Sequence, residues 1–140
     1  HGNGEVVRAI MEGITYAMRD SVELIAGMGV EISEVRLSGG GARSEFWRQM
    51  QADVYGRPVC TINAEEGPAY GVALLAGVGT GVWDSVEQAC ESSIKVMSEY
   101  AVNGAHAAVY DAFYPTYQKL YNSLADEFST ITSRVGELYE

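Results

Sequence analysis

The chain has 140 residues, 47% hydrophobic and 20% charged, which is the composition of a globular domain that buries a core rather than of a disordered segment. Its formal net charge of -10 opposes binding to nucleic acid or to an anionic membrane. No apolar run approaches the roughly 20 residues that cross a bilayer, and Cys60 and Cys90 have no metal-type spacing, so they read as reduced thiols of a cytoplasmic protein.

His1-Gly2-Asn3-Gly4 lacks an initiator Met, and 1–4 reads as a cloning remnant. From Glu5 to Met28, Ile10, Ile14, Ala17, Met18, Ser21, Ile25 and Met28 recur at helical spacing, with Arg8, Glu12, Arg19 and Glu23 on the solvent side. Gly27 and Gly29 should end this helix. Gly13 inside it costs about 1 kcal/mol against Ala, so it is expected to mark a close packing contact. Val35 and Leu37 bracket Arg36 in a short strand that Gly39-Gly40-Gly41 stops. A helix over 45–55 follows, with Phe46, Met50 and Val54 on one face, Ser44 as N-cap, Gly56 closing it and Pro58 just beyond. Asp53 in mid-helix is expected to pack or to be solvated rather than to do chemistry.

A second strand covers 58–62. Glu65-Glu66-Gly67-Pro68 then opens a helix, because acidic residues suit its positive end and Pro68 suits its first position. Ala69, Gly71, Ala73, Ala76, Gly77 and Gly79 make that helix one of small residues, able to bring its backbone close to neighbours. Asp84 with Glu87 reads as a capping box for a helix over 85–92. Residues 94–104 read as loop with a brief extended piece. A long helix over 105–124 carries Val109, Phe113, Tyr117, Leu120 and Leu124 at helical spacing, with Pro115 expected to kink or interrupt it. Tyr110, Tyr114, Tyr117 and Tyr121 form a band suited to a core or an interface. His106 stands isolated, with no metal site, and 126–140 reads as a tail that extends the helix or frays. Two strands are too little sheet for a complete α/β domain, so the pattern is that of part of a larger one.

The glycine triplet is where chemistry can enter. Without Cβ atoms the backbone can take positive φ, Gly40 included, and let a ligand approach closely. The N–H groups that open the next helix lack partners within it and carry its positive end, which suits a phosphate. A tight strand-to-helix turn and a nucleotide cradle both fit. The P-loop, with its Lys-Ser/Thr pair, and the Gly-x-Gly-x-x-Gly fingerprint are both absent.

A wider window carries more. Ser38-Gly39-Gly40-Gly41-Ala42-Arg43-Ser44, the stretch from Trp47 to Val59, and Glu65-Glu66-Gly67-Pro68-Ala69-Tyr70-Gly71 continuing to Gly81 closely resemble the C-terminal lobe of FGGY-type carbohydrate kinases, from about Arg8 to about Leu124. The wording is most similar to the xylulokinase group. The resemblance implies an α/β fold: a partial ribonuclease H-like lobe of the actin-like ATPase superfamily, helix-rich with a few short strands. Residues 1–140 would form part of the nucleotide-binding lobe. It further implies ATP and Mg2+ as cofactors of the full-length enzyme, and transfer of the γ-phosphate to a ketopentose, D-xylulose first. Gluconate, ribulose, fuculose and glycerol kinases of the family are the alternatives. Gly39, Gly40 and Gly41 would line the adenosine and α-phosphate, with Ser44 near the adenine edge and Arg43 beside them.

The same resemblance places the sugar, the base and the phosphate-binding turns outside this chain, which alone is expected to be inactive. Its partners are then ATP or ADP and a sugar held by the N-terminal lobe, with no nucleic acid and no membrane. A non-catalytic actin-like nucleotide-binding or interaction module is the alternative from another class. An open sheet edge and an unpartnered helix face would favour self-association, as a dimer.

Overall fold

The computed structural model describes residues 2–64 and 67–139. In chain order these form α1 (Asn3–Gly27), β1 (Val35–Leu37), a 3-10 turn (Gly40–Ala42), α2 (Glu45–Tyr55), β2 (Val59–Ile62), α3 (Gly67–Gly79), α4 (Val86–Ser93), β3 (Val96–Tyr100) and α5 (Gly104–Tyr139). The expectation that Glu65 and Glu66 favour the start of α3 lies outside the described residues.

Helix α2 is the centre of the packing, touching α1, α5, β2 and β3. Ser44 accepts from the Trp47 N–H at its start, and Gly56, at φ 62°, turns the chain out of it at the end. Met50 to Tyr55 are buried without a break. The two polar members of that run are bonded: Gln51 accepts from the Tyr55 hydroxyl at 3.2 Å, and Asp53 accepts from the Gln49 amide at 2.8 Å. Buried polar groups that keep partners avoid the desolvation penalty that would otherwise unfold such a helix.

The sheet has the order β1-β2-β3. Strands β1 and β2 are parallel, with Val35 opposite Val59 and Leu37 opposite Thr61, and α2 is the crossover between them. Strand β3 is antiparallel to β2, with Thr61 opposite Ser98 and a register shift between Thr61 and Ile62. This third strand corrects the reading of 94–104 as mostly loop. Its partner is distant in sequence, and its side chains alternate weakly because most are exposed. No strand pairs the outer edge of β1 among the described residues.

Three further expectations change. The apolar stripe of α1 is largely exposed rather than buried: Ile10 is 58% exposed, and Ile14 and Met18 border an open trough beside β1, whereas Thr15 and Tyr16 are buried. Tyr16 faces α5, its ring 5.7 Å from Tyr114 and 5.1 Å from Tyr117, and its hydroxyl donates to the Tyr110 carbonyl. Nothing approaches the position of a Cβ on Gly13, so this glycine marks no packing contact, and the same holds for Gly71 and Gly79. In α3 close approach is confined to Gly67, against Ser38, and to Gly77, where a Cβ would collide with the Trp83 ring. The N-cap of α4 is Ser85, not Asp84: its hydroxyl accepts from the Gln88 N–H at 3.2 Å.

Helix α5 runs through Pro115 and on to Tyr139, so residues 126–139 continue the helix. His106 is not isolated, as its Nδ1 lies 3.0 Å from Asp53 Oδ2. Tyr110 and Tyr114 are buried, while Tyr121 is 69% exposed, which splits the tyrosine band between core and surface.

The buried tyrosines set an alkaline limit. Burial above all pushes the Tyr16 and Tyr55 hydroxyls from 10.0 up to about 12. A raised value favours the protonated folded state, so this stability is intact below pH 10 and is lost as pH rises through about 12. The unfolding midpoint is therefore expected to drop across that interval together with the rise in tyrosinate absorbance. A midpoint that stays level across it would contradict the assignment.

Candidate nucleotide site

The two parallel strands end side by side, and the chain leaves β1 through Ser38 into the glycine triplet. Open α/β sheets form crevices at the carboxyl ends of such strands. Here a cleft of about 320 Å3 opens at that place, between Ser38, Gly39, Ala42 and Arg43 on the turn, Arg48 of α2, Thr61 of β2 and Ala64 just beyond it.

Of the three glycines only Gly39 requires the left-handed region, at φ 73° and ψ -159°. Gly40 and Gly41 have no positive φ and wind into the 3-10 turn, where the Ala42 N–H donates to the Gly39 carbonyl at 3.1 Å. The expectation of positive φ at Gly40 is corrected accordingly. The five residues expected at the site separate in space. Gly39 and Arg43 line the cleft. Gly41 faces the other way, where a Cβ would stand 3.8 Å from the Trp47 ring, and lines the apolar trough between α1 and β1. Gly40 and Ser44 line neither, and the Ser44 hydroxyl is engaged as the α2 cap.

Arg48 is the residue that sequence reasoning missed. It follows Ser44 by one helical turn, and side chains on a helix lean toward its N-terminus, so Arg48 reaches back over the turn that precedes its own helix. Its Nε donates to the Ala42 carbonyl at 2.6 Å and its Nη2 to the Arg43 carbonyl at 3.2 Å. On the other side Nη1 donates to the Tyr100 hydroxyl at 3.0 Å and meets Ser98 Oγ at 3.5 Å. The Ser98 hydroxyl is itself bonded to Thr61. One guanidinium thus fastens the glycine turn to β3 and, through Ser98, to β2. The signal that would have found it is the i+4 spacing from the cap combined with the third strand.

Helix α3 starts beside the cleft without lining it. A Cβ on Gly67 would stand 3.2 Å from Ser38 Oγ, so the first residue of α3 lies directly against the turn after β1. The N-terminal end of a 13-residue helix therefore lies next to Ser38, which lines the cleft. With the backbone of Gly39 and the cation of Arg43, the arrangement favours an anionic, phosphate-bearing ligand. Among the described residues no three His, Cys, Asp or Glu side chains converge as a metal site.

This fold is that of a carbohydrate kinase lobe. The model of the FGGY family of carbohydrate kinases, C-terminal domain, matches residues 1–80, and the chain belongs to that family. It is 35% identical over 136 residues to a xylulose kinase of Staphylococcus epidermidis, covering 95% of this chain and 27% of that protein. An autoinducer-2 kinase of Yersinia pestis is 38% identical over 115 residues, covering 81% and 22%. The crystal structure of a ligand-bound xylulose kinase from Lactobacillus acidophilus superimposes with a TM-score of 0.84 at 23% identity, covering 94% of this chain and 26% of that one. That likeness gives the fold, a portion of the actin-like ATPase architecture. The chain spans about a quarter of the length of the curated relatives it matches.

Proposed function

We propose that the chain is the adenine-nucleotide-binding part of a sugar kinase that transfers the γ-phosphate of ATP to a hydroxyl of a ketopentose, D-xylulose first. The observation that carries the reading is the cleft at the ends of β1 and β2, with Gly39 in the left-handed region and the start of α3 against Ser38, in a member of the FGGY family. Gly39 lets the nucleotide approach the backbone, Arg43 faces its phosphates, and Arg48 holds the turn in place. The glycines at 40 and 41 and the Ser44 cap shape the turn around it.

The fit to ATP rests on donors and space present here. The fit to Mg2+ does not, since the described residues hold no carboxylate cluster for it. The metal is assigned to the phosphates and to residues outside this chain. ATP supplies the phosphoryl group; the acceptor hydroxyl, its base and the sugar pocket belong to the rest of the protein. The apolar trough between Ile14 and Met18 of α1 and Val35 of β1, about 420 Å3, is the surface on which we place that remainder. No helix among the described residues is long and apolar enough to cross a membrane, and Cys60 and Cys90 are free thiols, which supports a cytoplasmic setting.

A coupled ADP-release assay on the full-length protein tests the reading, with D-xylulose, ribulose, fuculose, gluconate, glycerol and the autoinducer that names the Yersinia relative as acceptors. Turnover is expected with D-xylulose above the others. Activity only with a different acceptor would overturn the substrate while keeping the kinase. Folded protein inactive toward every acceptor would overturn the kinase.

A further inference from the structure

Helix α5 is 36 residues long, against 25 for α1, beside which it starts. Hydrogen bonds from α1 reach along it as far as Gln118, whose amide donates to Asp20 at 3.3 Å. Farther along, Ser123, Ser129, Thr130, Thr132 and Ser133 turn their hydroxyls back to carbonyls four residues earlier on the same helix. Yet the apolar positions do not stop at Gln118. Tyr121, Leu124, Phe128, Ile131, Val135 and Leu138 continue at alternating steps of three and four, and their exposures run from 41% to 79%. Tyr121 and Phe128, two turns apart, have ring centroids 6.3 Å apart, so they share one side of the helix.

Alternating three-and-four spacing is the seam of a two-helix coil, in which the seam residues of one helix pack between those of another. With Tyr121, Phe128 and Val135 in the first core position of each heptad, Glu127 and Arg134 both fall in the position just before it. That placement selects the partner. In an antiparallel pair this flanking position meets its own equivalent, so Glu127 faces Arg134 of the second copy and Arg134 faces its Glu127, twice by symmetry. The core layers are then Tyr121 with Leu138, Leu124 with Val135 and Phe128 with Ile131. In a parallel pair Glu127 would face Thr132 and gain no opposite charge.

We propose that the exposed half of α5 pairs antiparallel with α5 of a second copy of the protein. The paired stretch is about 27 Å long at 1.5 Å per residue. An isolated helix of that length is marginal in water, but here Tyr110 and Tyr114 already anchor its first half to the core, so little ordering remains to be done on association. The inference is independent of which sugar, or whether any, the protein phosphorylates.

Sedimentation of the full-length protein carrying E127R or R134E tests it, because both sites are exposed and neither substitution removes a core contact. The unaltered protein is expected to be a dimer. Each single variant sets like charges together twice and is expected to dissociate about tenfold more readily. An equimolar mixture of the two variants restores both opposite-charge pairs and is expected to dimerise again, as is the double variant E127R/R134E. A monomeric unaltered protein, a dimer indifferent to either reversal, or a mixture that fails to recover would each overturn the proposal.

Discussion

Replacing Asp53 with Ala is expected to lower stability by about 3 kcal/mol, in the range for removing one member of a buried charged network. Its side chain is 2% exposed and serves three donors from two elements: the Gln49 amide, the Asn103 N–H at 2.8 Å, and His106 Nδ1. Asn103 in turn accepts from the N–H groups of Ala105 and His106, which opens α5. The carboxylate therefore ties the joint between β3 and α5 to the middle of α2. Ala would strand the Asn103 N–H and leave the first turn of α5 unanchored. Asn should cost about half as much, because its carbonyl still accepts from Asn103 while the pairing with His106 weakens. Urea unfolding followed by tryptophan fluorescence measures both, and equal stability of the Ala and parent proteins would show that solvent replaces the carboxylate.

Asp53 also shows where the sequence was legible and where it was not. Its position in mid-helix was plain from the spacing around it, and the expectation was packing or solvation rather than chemistry. Its partners, fifty residues on, leave no local trace. Signals confined to a few residues were readable: the Ser44 cap, the Gly56 exit and the strand before the glycines all stand where local chemistry puts them. The N-cap of α4 moved by one residue because Asp84 and Ser85 are both competent caps and only backbone geometry chooses between them.

Long-range facts were lost. Helical period identified the apolar stripe of α1 but not which neighbour it would meet, and α5 met Tyr16 instead. Strand β3 is defined by pairing with β2, which no pattern in Val96–Tyr100 announces. At the cleft, the triplet was legible as a turn, but the division of labour among Gly39, Gly40 and Gly41 depends on dihedral angles that three identical residues cannot encode separately.

The position of that turn depends on Arg48, which also lines the cleft, and its replacement is expected to weaken nucleotide binding more than that of Arg43. In the full-length protein Arg48→Ala should weaken ATP binding about thirtyfold, since displacing a binding loop by an ångström or so commonly reduces productive contacts by that order. Arg48→Lys should recover little. An ammonium group is a point donor, whereas the guanidinium spans the Ala42 and Arg43 carbonyls on one side and the Tyr100 hydroxyl on the other. Both arginines line the cleft, so either loss should reduce the sensitivity of ATP affinity to ionic strength, but Arg43→Ala leaves the Arg48 hydrogen bonds to the turn carbonyls in place and should cost less affinity than Arg48→Ala. Calorimetric titration with ATP at two salt concentrations measures both effects. Unchanged ATP affinity in a folded Arg48→Ala protein would mean that the hydrogen bonds of the 3-10 turn hold the glycine loop without the arginine.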